Sequence, residues 1–161
     1  MLTETQEGRT LINEVAYRLV SENAPEELPL YVTTRDRYFD DPEGFGQPDE
    51  AEDEALGFGA AAAVETFTRV LFPVIAPVLA HVVGEVTKAL KDEGGKKAVD
   101  WVRDLFTSPK PQPVFTQAEL AEIQEQIQSI ADKEARRLGL KKSQVLGISD
   151  AIIAKLALAQ K

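Results

Sequence analysis

Residues Val70–Gly84 read VLFPVIAPVLAHVVG, fifteen positions with a single polar side chain, His81. A helix built from them is apolar on every face, so it must be covered by other helices or by lipid. Fifteen residues fall short of the ~20 needed to cross a bilayer. Extending the run takes in Glu65, Arg69 or Glu85, each costly at membrane depth. The first reading is therefore a core helix over about 56–92. Phe72, Ile75, Val78, Leu79, His81 and Val82 are its hub residues. Pro73 and Pro77 stand four apart, and each removes a backbone donor, which predicts a kink or a break. Gly94 and Gly95 are expected to end the helix in left-handed geometry.

Working outward, the neighbours carry one-sided apolar stripes that can cover such a hub. Leu11, Ile12, Val15, Ala16, Leu19 and Val20 recur at helical spacing between Glu7 and Glu22. Lys96–Phe106 offers Ala98, Val99, Val102, Leu105 and Phe106 on one face, with Trp101 at its border. Thr116 and Glu119 form a T-x-x-E capping box that opens a further helix. Within it Leu120, Ile123, Ile127 and Ile130 follow at 3-4-3 spacing, a narrow coiled-coil-like seam. Gly139 closes that helix, and Lys142–Ala159 turns Val145, Ile148, Ile152, Ile153 and Leu156 inward.

The expected fold is all-α: an antiparallel bundle of about five helices around a kinked apolar hub. Residues 1–106 form the body, 107–115 (TSPKPQPVF) a stiff proline-rich linker, and 116–161 a helical hairpin packed on the body. Between the first helix and the hub, Pro25, Pro29, Pro42 and Pro48 break the pattern. A short strand at Pro29–Thr33 and an acidic loop over 40–54 are expected there. Tyr31, Tyr38, Phe39 and Phe45 read either as pegs that hold this stretch down or as a partner-docking loop.

Charge is unevenly spread across the 161 residues. Residues 1–58 hold 15 acids against 4 bases, whereas 132–161 hold 3 acids against 7 bases, within a net charge of −9. Opposite ends of this kind favour head-to-tail self-association or a basic partner for the front half. The start, MLTETQEGR, has neither a basic nor an apolar leader segment, so a cytoplasmic protein is expected. A 43% hydrophobic and 28% charged composition is that of a globular chain.

Chemistry finds no foothold in the sequence. With no cysteine, thiol nucleophiles and cysteine metal sites are excluded, and the one histidine, His81, leaves a Ser-His-Asp arrangement at most one possible base. His81 is expected as a core histidine bonded to a backbone carbonyl. From Asp40, the EF-hand ligand positions fall on Pro42, Gly44 and Ala51, so the spacing fails. Gly57-Phe58-Gly59 and Gly94-Gly95 lack the residues that complete a phosphate loop. No catalytic, cofactor or metal site is expected.

Ala135–Leu156 (ARRLGLKKSQVLGISDAIIAKL) resembles the helix–turn–helix half of ribbon-helix-helix DNA-binding domains. The resemblance implies DNA contact through Lys133, Arg136, Arg137, Lys141 and Lys142. Those domains also need a basic strand upstream, where Glu119–Gln128 here is acidic and helical in pattern. Three functions are thus ordered. The first is a non-catalytic protein acting through protein–protein contact, as a self-associating subunit or adaptor, with Leu120, Ile123, Ile127 and Ile130 as its contact. A membrane-active effector that inserts 56–91 is second, and a DNA-binding regulator last.

Overall fold

The computed structural model describes residues 2–45, 66–91, 96–108 and 110–159. Among the described residues six helices carry the fold: α1 (Gln6–Asn23), α2 (Tyr31–Asp40), α3 (Thr66–Leu90), α4 (Lys96–Thr107), α5 (Gln117–Leu138) and α6 (Lys142–Ala157). Two 3₁₀ turns, Leu2–Glu4 and Pro25–Leu30, precede α1 and α2. The chain is an all-α bundle, with no strand among the described residues.

The apolar stretch is the hub. α3 packs against every other helix, and Phe72, Ile75, Val78 and Leu79 are sealed from solvent, with Val82 all but sealed. Its neighbours cover most of the apolar window, 61% of which is buried, at roughly 25 cal/mol per Å² of apolar surface. Of the kink or break expected at the prolines, the break does not occur: α3 runs continuously from Thr66 to Leu90 through both of them. The proposed start of this helix before Thr66, most of the acidic 40–54 loop and Gly94-Gly95 lie outside the described residues. The residue seen to take left-handed geometry at the end of α3 is Lys91, with φ 55°.

α1 covers the hub with the stripe read from sequence, each of its six apolar members at most 1% exposed. Thr5 caps it by accepting from the Gly8 N–H at 3.0 Å. Gly8 also lets the Leu2–Glu4 turn fold back, because a Cβ there would sit 2.0 Å from the Leu2 carbonyl oxygen.

The strand expected at Pro29–Thr33 is helical instead. Tyr31, Thr34 and Tyr38 bury at three- and four-residue spacing on α2, while Val32, which makes the run look strand-like, is 53% exposed. The aromatic residues here are pegs. Tyr38 stacks on Phe72 of α3 at 5.2 Å between centroids and meets Phe45 edge-on at 5.4 Å. Tyr31 packs on the same Phe72 at 5.7 Å and donates its hydroxyl to the Asn13 carbonyl at 2.8 Å. That burial drives the Tyr31 phenol well above its ordinary pKa.

The proline-rich stretch serves as a wall. Val114 and Phe115 are buried, Phe115 meets Trp101 edge-on at 5.9 Å, and Trp101 Nε1 donates to the Gln112 carbonyl at 2.9 Å. The capping box forms in both directions: Thr116 N–H donates to Glu119 Oε1 at 3.0 Å and Glu119 N–H to Thr116 Oγ1 at 3.2 Å. Gly139 ends α5 with φ 69°, and the Leu140 N–H reaches the Ala135 carbonyl at 2.8 Å. That is the geometry that turns α5 back into α6.

Candidate interaction surface

Glu27, only 5% exposed, accepts from the backbone N–H of Phe67 at 3.2 Å and of Thr68 at 2.8 Å. These groups lie in the first turn of α3, where N–H groups lack intrahelical acceptors and the helix dipole favours an anion. Glu27 therefore caps the hub from 41 residues away in sequence. Nothing local in the sequence signals it, because the pairing exists only after the 3₁₀ turn docks.

His81 is half-buried. Its Nε2 lies 2.6 Å from the side-chain oxygen of Gln126 on α5, where a backbone carbonyl was the expected partner. The rest of the hub set, Phe72, Ile75, Val78, Leu79 and Val82, is core. So is the seam: Ile123 and Ile127 are buried, and Leu120 and Ile130 are partly buried against the same core. The chain itself occupies most of the strip read as a contact for a second molecule.

What stays open lies beside that seam. A groove of about 240 Å³ runs between the start of α5 and the end of α6, lined by Gln117, Leu120, Ala121, Gln124, Ile153 and Leu156 with Ala157. Leu158 follows directly, and at 61% it has the greatest exposure among the large apolar residues described. The last residue that lines the groove, Ala157, is thus followed in the chain by an exposed leucine. Lys155 Nζ ties this end of α6 to Glu22 Oε1 of α1 at 3.6 Å, so the surface rests on the body.

At the opposite end of the hairpin Lys133, Arg136, Arg137, Lys141 and Lys142 are exposed. Upstream of them α5 is one continuous helix from Gln117, in the place where the ribbon-helix-helix resemblance calls for a strand. No known protein family, curated protein or solved structure matches the chain.

Proposed function

We propose that this protein works through protein–protein contact, as a subunit that pairs with its own copy through the α5–α6 surface. The observation that supports this reading is the adjacency of the groove and Leu158. A groove and an exposed leucine next to it in the chain can serve each other across a twofold axis, the commonest symmetry of soluble oligomers. Only Leu120 of the four seam residues lines the groove; the other three contribute by holding α5 in place. Light scattering over a dilution series tests the proposal. A mass that rises from one chain to two with concentration is expected, and a constant monomer at millimolar concentration counts against it.

A second reading draws on α3. Phe67–Leu90 is long and apolar enough to cross a membrane by length and composition, with mean hydropathy 1.8. The flanks that looked prohibitive in sequence thus leave the helix within the range of a span. Burial of 61% of that apolar window favours a soluble core role, since insertion would first have to strip five helices from the hub. Liposome flotation at neutral and mildly acidic pH separates the two: a protein that stays with the buffer in both keeps α3 as core.

A further inference from the structure

The α5–α6 surface is uncharged at its centre and acidic at its edge. No residue that lines the groove carries a charge, and glutamine is the only polar type among them. Leu158 adds none. Two copies that meet there gain nothing from opposite charges at the contact itself. Any electrostatic effect on pairing comes from the residues around it.

Two carboxylates stand at that edge. Glu125 follows the lining residue Ala121 by four positions on α5, and Asp150 precedes the lining residue Ile153 by three on α6. Residues at these spacings are neighbours on a helix surface. Both acids are exposed, and neither side chain has an ion-pair or hydrogen-bond partner among the described residues. Bases do not offset them. Over 117–128 α5 holds Glu119, Glu122 and Glu125 with no Lys or Arg. Over 149–158 α6 holds one base, Lys155, and its Nζ is engaged by Glu22 at 3.6 Å.

A twofold pair is isologous, so it sets one surface patch against the same patch of the second copy. Each acidic rim then meets a rim of its own sign. The chains that carry these rims each have a net charge of −9, so local and overall repulsion act in the same direction.

We infer, building on the self-association proposed above, that pairing through this surface is gated by ionic strength. Two copies repel in dilute salt and join when counterions screen the carboxylates of Glu125 and Asp150. Charges are felt over ~30 Å at 0.01 M salt and over ~8 Å at 0.15 M. Repulsion therefore fades across that interval, while the apolar contact stays. Head-to-tail pairing of the acidic front of one chain with the basic end of another responds with the opposite sign, because screening weakens attraction between unlike charges.

Sedimentation equilibrium of the full chain at ~10 and ~150 mM sodium chloride reads the dissociation constant on both sides of this change. It should tighten at least about tenfold with salt. Glu125→Gln combined with Asp150→Asn replaces each exposed carboxylate by a neutral amide of similar shape, so the helical spectrum should not change. At the lower salt this variant should pair about threefold more tightly than the wild type, and at the higher salt equally well. Salting-out of apolar surface does not produce that difference. A pair whose affinity is unmoved or weakened by salt overturns the inference and leaves self-association standing. A variant that pairs no more tightly than the wild type at the lower salt does the same. A monomer at every salt and protein concentration removes self-association, and the gate with it.

Discussion

Removing the Glu27 carboxylate tests how the hub helix is anchored. Glu27→Ala leaves the Phe67 and Thr68 N–H groups, now bonded at 3.2 and 2.8 Å, without an acceptor in a place water reaches poorly. A hydrogen bond to a charged group contributes roughly 1.5–3 kcal/mol. A helix cap typically contributes ~1 and up to ~2 kcal/mol, and desolvation of the carboxylate offsets part of the gain. Two bonds to one buried anion at a helix N-terminus then come to about 2–3 kcal/mol. Against a total of ~5–15 kcal/mol that is a large share. For a chain of this size it lowers Tm by about 4–12 °C. Glu27→Gln keeps one carbonyl acceptor and should lose about half as much. Urea unfolding followed by far-UV circular dichroism reads both variants, with the midpoint falling and the slope unchanged. A loss below about 0.5 kcal/mol for Glu27→Ala, no larger than an ordinary surface substitution, would refute the long-range cap.

Other expectations follow from burial and backbone geometry. Val78→Asp places an unpaired charge at a fully buried hub position and should abolish the cooperative thermal transition. Ile127, equally sealed, should behave as core: Ile127→Ala costs about 2–5 kcal/mol in urea unfolding, and Ile127→Glu should unfold the chain rather than yield a helical monomer. Lys91→Gly relieves the left-handed conformation at φ 55° and should raise stability by about 0.5–1 kcal/mol in the same assay.

Alkaline pH should weaken the fold. Burial, reinforced by the Glu134 carboxylate and opposed by Arg137, pushes the Tyr38 phenol from 10.0 up to about 12. The folded chain thus keeps a proton that the unfolded chain gives up, so this stability is complete below pH 10 and is lost as pH climbs from about 10 through 12. Tyr31 acts in the same direction. Urea midpoints at pH 9 and 11 should differ by less in Tyr38→Phe than in the wild type.

Much of the bundle is legible in the sequence because its signals are local and periodic. The α1 stripe, the Thr116–Glu119 box and Gly139 each name a feature that the chain adopts without outside help. The all-apolar run identifies a hub because a helix apolar on every face has to be covered on every side. The short α2 is not legible in the sequence, since Leu30-Tyr31-Val32 mimics a strand over three residues, and only the docking of Tyr31 and Tyr38 on Phe72 selects the helix. The 3-4-3 seam of α5 suits a second molecule as well as the chain's own core, because sequence cannot tell an intramolecular neighbour from an intermolecular one. The Glu27 cap and the α5–α6 groove are built from residues far apart in the chain, and periodicity carries no trace of them.

Self-association through the α5–α6 face is the central claim, and one paired measurement tests it most directly. Sedimentation equilibrium at matched millimolar concentration compares the wild type with Leu158→Glu and with Val32→Glu, the latter altering an apolar residue of α2 that is 53% exposed. The wild type and Val32→Glu should sediment as dimers, and Leu158→Glu as a monomer with an unchanged helical spectrum. A wild-type monomer, or a dimer that Leu158→Glu leaves intact, would contradict the claim.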